Sequence, residues 1–337
     1  MKNLLLPIFA LLSVAVVVTY GALSPEVYWK SVLPNTPIPK AVTHILHPDW
    51  VEEKSTAVNV GKGGVNVQTG RRGGGGTKVN VGGGKGKGVS VNTGHKGKPV
   101  YVNVSPFVYK YAATETQLHD DTKVALFFKE NDLHYGKKLD LHFTPSSNQA
   151  TFLPRQVADS IPFSSNKVND VFAKFSIKPE SEEANIVKNT LNECEDTSIK
   201  GEEKYCATSL ESMVDFSTSK LGKNVAVLST EVDQETGLQQ YTIAPGVKKV
   251  SGDNAVVCHK QSYPYAVFYC HKTETTRTYS VPLEGANGIR VKAVAVCHTD
   301  TSQWNPKHLA FEVLKVKPGT VPVCHFLPED HVVWVQK

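Results

Sequence analysis

Within the last eighty residues of the chain a cysteine stands immediately before a histidine four times, at Cys258-His259, Cys270-His271, Cys297-His298 and Cys324-His325. Ten, twenty-five and twenty-five residues separate successive pairs. Each pair closes an apolar run, AVVCH, VFYCH, AVAVCH or VPVCH, and such runs read as strands. Neighbouring strand residues point to opposite faces of a sheet, so the cysteine and the histidine of one pair are directed apart. The pairs therefore predict two layers. Cys258, Cys270, Cys297 and Cys324 form disulfides on one face, and the imidazoles of His259, His271, His298 and His325 gather on the other. The C-x2-C and H-x3-H spacings of a zinc finger are absent. Four imidazoles are a donor set suited to copper or zinc. A single Cys-His pair reads most simply as a staple beside an ordinary strand histidine; repetition at one constant offset gives the imidazole a role of its own.

Disulfides require an oxidising compartment, and the N-terminus supplies the address. MKNLLLPIFALLSVAVVVTYGA carries one lysine, an apolar run from Leu4 to Val18 and small residues at Thr19 and Gly21. This is the pattern of a secretory signal peptide over 1–22, cut after Gly21 or Ala22. The run is too short for a comfortable membrane span and no other stretch approaches one, so the mature protein is expected to be secreted, with no membrane partner. Six cysteines allow fifteen pairings. Cys194 and Cys206, which have no histidine beside them, are expected to bond to each other and to contribute about 3 kcal/mol. Asn103-Val104-Ser105 is a glycosylation sequon followed directly by Pro106.

A length of 337 residues permits two domains, or one domain with a long appendage. Residues 23–54 hold Pro25, Pro34, Pro37, Pro39 and Pro48, a density that predicts an extended or looped segment, either docked or removed as a propeptide. Residues 55–105 are different again. VNV recurs at Val58–Val60, Val65–Val67, Val79–Val81 and Val102–Val104, with VSV at Val89–Val91, separated by glycines and by Lys62, Arg71, Arg72, Lys78, Lys85, Lys87, Lys96 and Lys98. Few large apolar groups are present to offset chain entropy, so disorder or weakly paired short strands are expected. No acidic residue lies between Glu53 and Glu115, which makes this segment a site for a polyanion. With no Trp, Tyr or Phe between Ser55 and Pro99 to stack on bases, no nucleic-acid partner is expected; composition leaves two readings of these eight cations, contact with acidic polysaccharide and a solvated spacer without a partner.

From Ala112 onward ordinary globular composition returns. FLPRQVADSIPF, NKVNDVFAKFSI, SEEANIVKNTLNECED and EEKYCATSLESMVDFSTSKLG read as helices, several opening on Ser, Asn or acidic residues. Nine apolar runs after Lys223, HLAFEVLKV among them, read as strands. Helices first and strands afterwards predict an α+β domain with a mainly antiparallel sheet that carries the four Cys-His pairs and is stapled by disulfides. His119, His134 and His142 show no ligand spacing and are expected at the surface. There is no G-x-S-x-G elbow and no H-E-x-x-H helix, which argues against a hydrolase.

The four pairs and their intervals, together with LFFKENDL, FLPRQVADSIPF and CATSLESMVDF, resemble the plant BURP domain over residues 124–337. LSPEVYWKSVLPNTPIP and the VNV repeats resemble the dehydration-responsive subgroup of that family. The resemblance implies a protein of the apoplast and cell wall, linked to drought, salt and abscisic acid. Some members are copper-dependent peptide cyclases that crosslink a Tyr or Trp side chain, often within their own N-terminal region. It implies a copper role for His259, His271, His298 and His325, and supplies no substrate. The repeats hold no indole or phenol and so are no core peptide. Tyr101, Tyr109 and Tyr111 are read as an apolar lead-in to the domain, and Trp29 and Trp50 as packing anchors. The expectation is a non-enzymatic wall protein, with an autocatalytic copper-dependent cyclase as the alternative.

Overall fold

The computed structural model describes residues 24–46, the strand residues 54–61, 64–71, 77–83 and 87–89, and residues 127–143, 150–198, 200–234, 238–273 and 275–337. The leader at 1–22, Trp50, Asn103, the three lead-in tyrosines and His119 lie outside the described residues.

Within the proline-rich N-terminal segment, residues 25–32 and 40–46 are helical, which corrects the extended or looped reading there, while residues 33–39 between them are a loop. Helices α1 (Pro25–Val32) and α2 (Lys40–Leu46) have no proline in their interiors. Pro25 occupies the first turn of α1, where a missing N–H costs nothing, and Ser24 accepts a hydrogen bond from the Val27 N–H as its cap. Pro34, Pro37 and Pro39 fall between the two helices. The repeats pair into a small sheet of β1 (Lys54–Gly61), β2 (Gly64–Arg71), β3 (Thr77–Gly83) and β4 (Lys87–Val89). Its register matches triplet to triplet: Val58, Asn59 and Val60 stand opposite Val67, Asn66 and Val65, and the latter stand opposite Val79, Asn80 and Val81. Arg71, Lys78 and Lys87 fall in these strands, whereas Lys62, Arg72, Lys85, Lys96 and Lys98 lie outside the described residues.

The remaining elements are β5 (Phe127–Lys129), β6 (Lys138–Leu141), α3 (Arg155–Asp159), α4 (Val168–Phe175), α5 (Glu182–Glu195), β7 (Glu202–Ala207), α6 (Leu210–Leu221), β8 (Val225–Leu228), β9 (Glu231–Val232), β10 (Gln239–Ile243), β11 (Lys248–Ser251), β12 (Ala255–Gln261), β13 (Val267–Thr273), β14 (Thr276–Gly285), β15 (Arg290–His298), α7 (Leu309–Leu314), β16 (Val323–Phe326) and β17 (Val332–Gln336). Most of the helix precedes most of the strand, and every pairing in the two domain sheets is antiparallel. One sheet runs β7-β13-β12-β17-β8; the other runs β5-β16-β15-β14-β10-β6, with β11 on β14 and β9 on β15.

Side-chain alternation builds three layers from these two sheets. Ala255 and Val257 of β12, Val333 and Val335 of β17, and Val294 and Val296 of β15 pack together between the sheets. The intervening residues face outward. Val256, Cys258 and Trp334 join α6, α1 and α2 in a second cluster, and Ala295, Cys297, Cys324 and Phe326 join a third. Helices α3, α4 and α5 pack on Tyr263, Tyr265 and Val267.

Two segments depart from the sequence reading. EEKYCA begins a predicted helix but forms the edge strand β7, because its backbone pairs with β13 from Glu202 opposite Thr273 to Ala207 opposite Phe268. Only from Leu210, with Ser209 as cap, does α6 begin. LAFEVL is the helix α7 rather than a strand, with His308 Nδ1 accepting from the Ala310 N–H at its start. Short apolar runs carry no decisive period, and here the cap determines the outcome. Among the described residues, no helix is long and apolar enough to cross a membrane.

Candidate metal centre

The register of the strands places the cysteines before it places the histidines. Cys258 stands directly opposite Cys270 across β12 and β13, and Cys297 opposite Cys324 across β15 and β16. Both couples are disulfide-bonded, as are Cys194 in the last turn of α5 and Cys206 in β7. All the cysteines of the chain are thereby paired. A thiolate metal site is therefore excluded, and any ligands must be imidazoles or oxygens.

One residue along, each histidine turns to the space between the sheets. Register sets His259 opposite Tyr269 and His271 two residues further, a diagonal couple on one face of the five-stranded sheet. His298 and His325 make the equivalent diagonal on the other sheet. The rings of His259 and His271 are 5.2 Å apart and those of His298 and His325 are 5.7 Å apart. Across the gap, His271 lies 6.1 Å from His298 and His259 lies 6.0 Å from His325. The four imidazoles thus close a quartet, two from each sheet, and none is more than 2 % exposed.

Burial sets their charge. It holds His259 and His298 well below the ordinary imidazole value, with neighbouring histidines adding to the shift. It pushes His271 down to about 3, helped by Lys204. His325 is pushed down to about 3 as well, although the Phe326 carbonyl opposes the shift. Neutral imidazole is the form that ligates a metal.

Three of the rings hydrogen-bond outward at Nδ1, and the fourth faces a carboxylate there. For His259 the partner is His331 Nδ1 at 2.9 Å, whereas His271 Nδ1 lies 3.4 Å from Glu202 Oε1 without hydrogen-bond geometry. For His298 it is the Thr276 hydroxyl at 3.3 Å, and for His325 the Phe326 carbonyl at 3.2 Å. Nε2 is on the far side of every ring, and the Nε2 atoms of His259 and His271 approach to 3.2 Å. Two nitrogens bound to one ion at 2.0–2.1 Å are separated by about 3.3 Å in a tetrahedral site. The inner pair has that spacing, while no group of three or more His, Cys, Asp or Glu among the described residues yet has the geometry of a formed site. Neutral imidazole nitrogen is a donor type that copper takes, and His259, His271, His298 and His325 are the residues that would hold it.

Aromatic residues ring the quartet. Trp304 lies 5.1 Å from His298, Tyr269 lies 5.6 Å from His271, and Phe127 lies 6.1 Å from His325. His308 stands behind Trp304 at 4.7 Å. Of the histidines expected at the surface, His134 is exposed and His142 is half-buried. Sequence reasoning missed Glu202, Thr276 and His331. Glu202 sits in a segment read as helix, and its neighbour His271 is a product of sheet pairing. His331 was findable: it immediately precedes the apolar run VVWV, as the other histidines end theirs.

The BURP domain family model matches residues 126–336. BURP domain protein RD22 of Arabidopsis thaliana is 53 % identical over an alignment of 385 residues, covering 98 % of this chain and 98 % of that protein. BURP domain-containing protein 3 of Oryza sativa subsp. japonica is 57 % identical over 246 residues, covering 72 % of this chain and 57 % of that protein. Protein RAFTIN 1B of Triticum aestivum is 33 % identical over 348 residues, covering 92 % of this chain and 90 % of that protein.

Proposed function

Because the chain belongs to the BURP domain family and is of the RD22 type, we propose that it is a secreted plant protein of the apoplast and cell wall, acting in the response to drought, salt and abscisic acid. In this reading the domain is a disulfide-stapled module that holds copper at His259, His271, His298 and His325. The basic repeats contact acidic wall polysaccharide, and the protein is not an enzyme. The observation that carries the non-enzymatic reading is the burial of all four imidazoles to 2 % exposure or less. A structural metal site is closed by protein ligands, whereas a catalytic one keeps a position open to substrate. Copper, when bound, supplies one-electron redox chemistry; the residues of the chain supply the neutral donors, the ring orientations and the exclusion of water.

Two measurements test the proposal. Metal analysis of the full secreted chain should find copper retained, and replacing each of the four histidines by alanine in turn should lower that retention. Protein that retains no copper on dialysis against a weak chelator would rule out the metal-holding role. Retention on immobilised polygalacturonate should fall as salt rises, because screening weakens contacts between solvent-exposed charges. Equal retention after deletion of residues 55–99 would remove the repeats from the polysaccharide contact.

A second reading, an autocatalytic copper-dependent cyclase, is favoured by Trp304 and Tyr269, electron-rich rings packed against His298 and His271. Crosslinking joins two side chains with loss of one hydrogen from each, both taken up by dioxygen. Copper-loaded protein incubated in air and digested with trypsin should then show a peptide lighter by two hydrogens. No such peptide, in protein shown to bind copper, sets this reading aside.

A further inference from the structure

Residues 24–46 are held on the domain by noncovalent contacts of their own. Trp29 and Leu33 with Ala41, Val42 and Ile45 are at most 7 % exposed, in one cluster with Leu210, Met213 and Val214 of α6, Val225 of β8 and Trp334 of β17. Polar contacts fix the direction in which the segment lies. The Thr36 hydroxyl donates to the Val225 carbonyl at 2.8 Å, and the Ala41 N–H donates to Ser229 Oγ at 3.5 Å. Lys337 Nζ donates to the Asn35 carbonyl at 3.3 Å, the Arg155 guanidinium lies 5.2 Å over the Tyr28 ring, and Lys40 pairs with Glu231 at 3.6 Å. These contacts run between residues 24–46 and residues from Arg155 onward, and no disulfide joins the two.

We infer that the outer face of the five-stranded sheet, beside α6, is a docking groove for residues 24–46, and that a second copy of this chain fills it by exchanging that segment.

Eighty residues run between Leu46 and Phe127. The thirty-seven between Val89 and Phe127 alone span at most about 120 Å when extended. A domain the size of residues 126–336 has a radius of gyration of about 17 Å, so the groove of a neighbouring molecule is within reach. The contacts made there are the same ones. What differs is how the segment is delivered. Its own tether supplies it at an effective concentration on the order of millimolar, whereas a second copy supplies it at the bulk concentration. Exchange of an identical element is for this reason a low-cost route to dimers. Dilute protein keeps its own segment, and concentrated protein shares it.

The Lys40–Glu231 pair reports docking without any substitution, because a carbodiimide couples an amine to a carboxylate that it touches, and both side chains are open to the reagent. Equal amounts of unlabelled and 15N-labelled full chain are mixed in denaturant with the disulfides intact, refolded together, cross-linked and digested with trypsin. Half of all exchanged pairs then carry one label from each population. Such mixed pairs should make up about 1 % or less of the Lys40–Glu231 pairs at ~10 μM chain and about a quarter at ~1 mM. A mixed fraction that does not rise with concentration overturns the proposal, as does the absence of Lys40–Glu231 pairs of either kind. A second measurement probes the groove directly. The Trp29→Ala full chain, whose own segment no longer fills it, should bind a fluorescent peptide of residues 24–46 at least about 100-fold more tightly than the parent does. The same peptide carrying Trp29→Ala should not bind. Equal binding of the first peptide to parent and variant, or equal binding of the two peptides to the variant, also overturns the proposal. If the Trp29→Ala chain fails to fold, the mixed-label fraction of the parent decides.

Discussion

At the scale of single residues, Cys258 and His259 share a peptide bond and occupy different layers of the molecule. Cys258 packs with α6 and α1 on the outer face of its sheet, and His259 faces the second sheet. The Cys258–Cys270 and Cys297–Cys324 disulfides therefore each tie together the two strands whose next residues are rings 5.2 or 5.7 Å apart. Replacing Cys297 and Cys324 together by alanine should lower the free energy of unfolding by about 3–4 kcal/mol, measured by denaturant titration. Removing Cys258 and Cys270, which close a shorter loop, should cost roughly 0.7 kcal/mol less. Chain alternation alone made this division of labour legible, since it depends only on the period of a strand. The pairing was not legible, because it depends on which strands become neighbours. Glu202 was hidden for the same reason: it is sixty-nine residues from His271 in the chain and comes near it only across the β7–β13 ladder.

Elements show where local signals were sufficient and where they were overridden. Ser181 and Ser209 cap α5 and α6 as Ser-initiated helices should be capped, each accepting from an N–H three residues on. Helix α1 was obscured by the prolines around it. Its Trp29 is completely buried, lies tilted against Trp334 with ring centroids 5.2 Å apart, and donates its indole N–H to the Thr36 carbonyl at 2.8 Å. Tyr28 and Arg155 converge on Asp215 of α6 beside it. Trp29→Ala should destabilise the domain by about 3–5 kcal/mol, the cost of emptying a large core position and orphaning a carbonyl. Thermal unfolding of the full chain measures it. A change of under 1 kcal/mol would mean that α1 is dispensable to the core. Short α7 failed as a strand prediction because six apolar-rich residues fit either period.

From Phe127 onward the chain builds a domain on two sheets, with four imidazoles between them, the Cys258–Cys270 and Cys297–Cys324 disulfides on their outward faces, and the N-terminal helical segment packed on the outer face of the five-stranded sheet. That last feature has a topological consequence. Residues 24–46 and the stretch from Phe127 onward are parts of one packed body, so the chain between them is fastened at both ends. Cleavage within residues 47–126 should leave two pieces that co-migrate on size exclusion under native conditions and separate in denaturant. No covalent tie opposes that separation, because all six cysteines lie on the C-terminal side. Gel filtration of protein nicked in the repeats tests this directly, and early release of the smaller piece would contradict it. The basic stretch is then tied at both ends rather than a tail. Any polymer that bound it would be connected to the domain by two arms, and a protease that severed one arm would leave the other still holding.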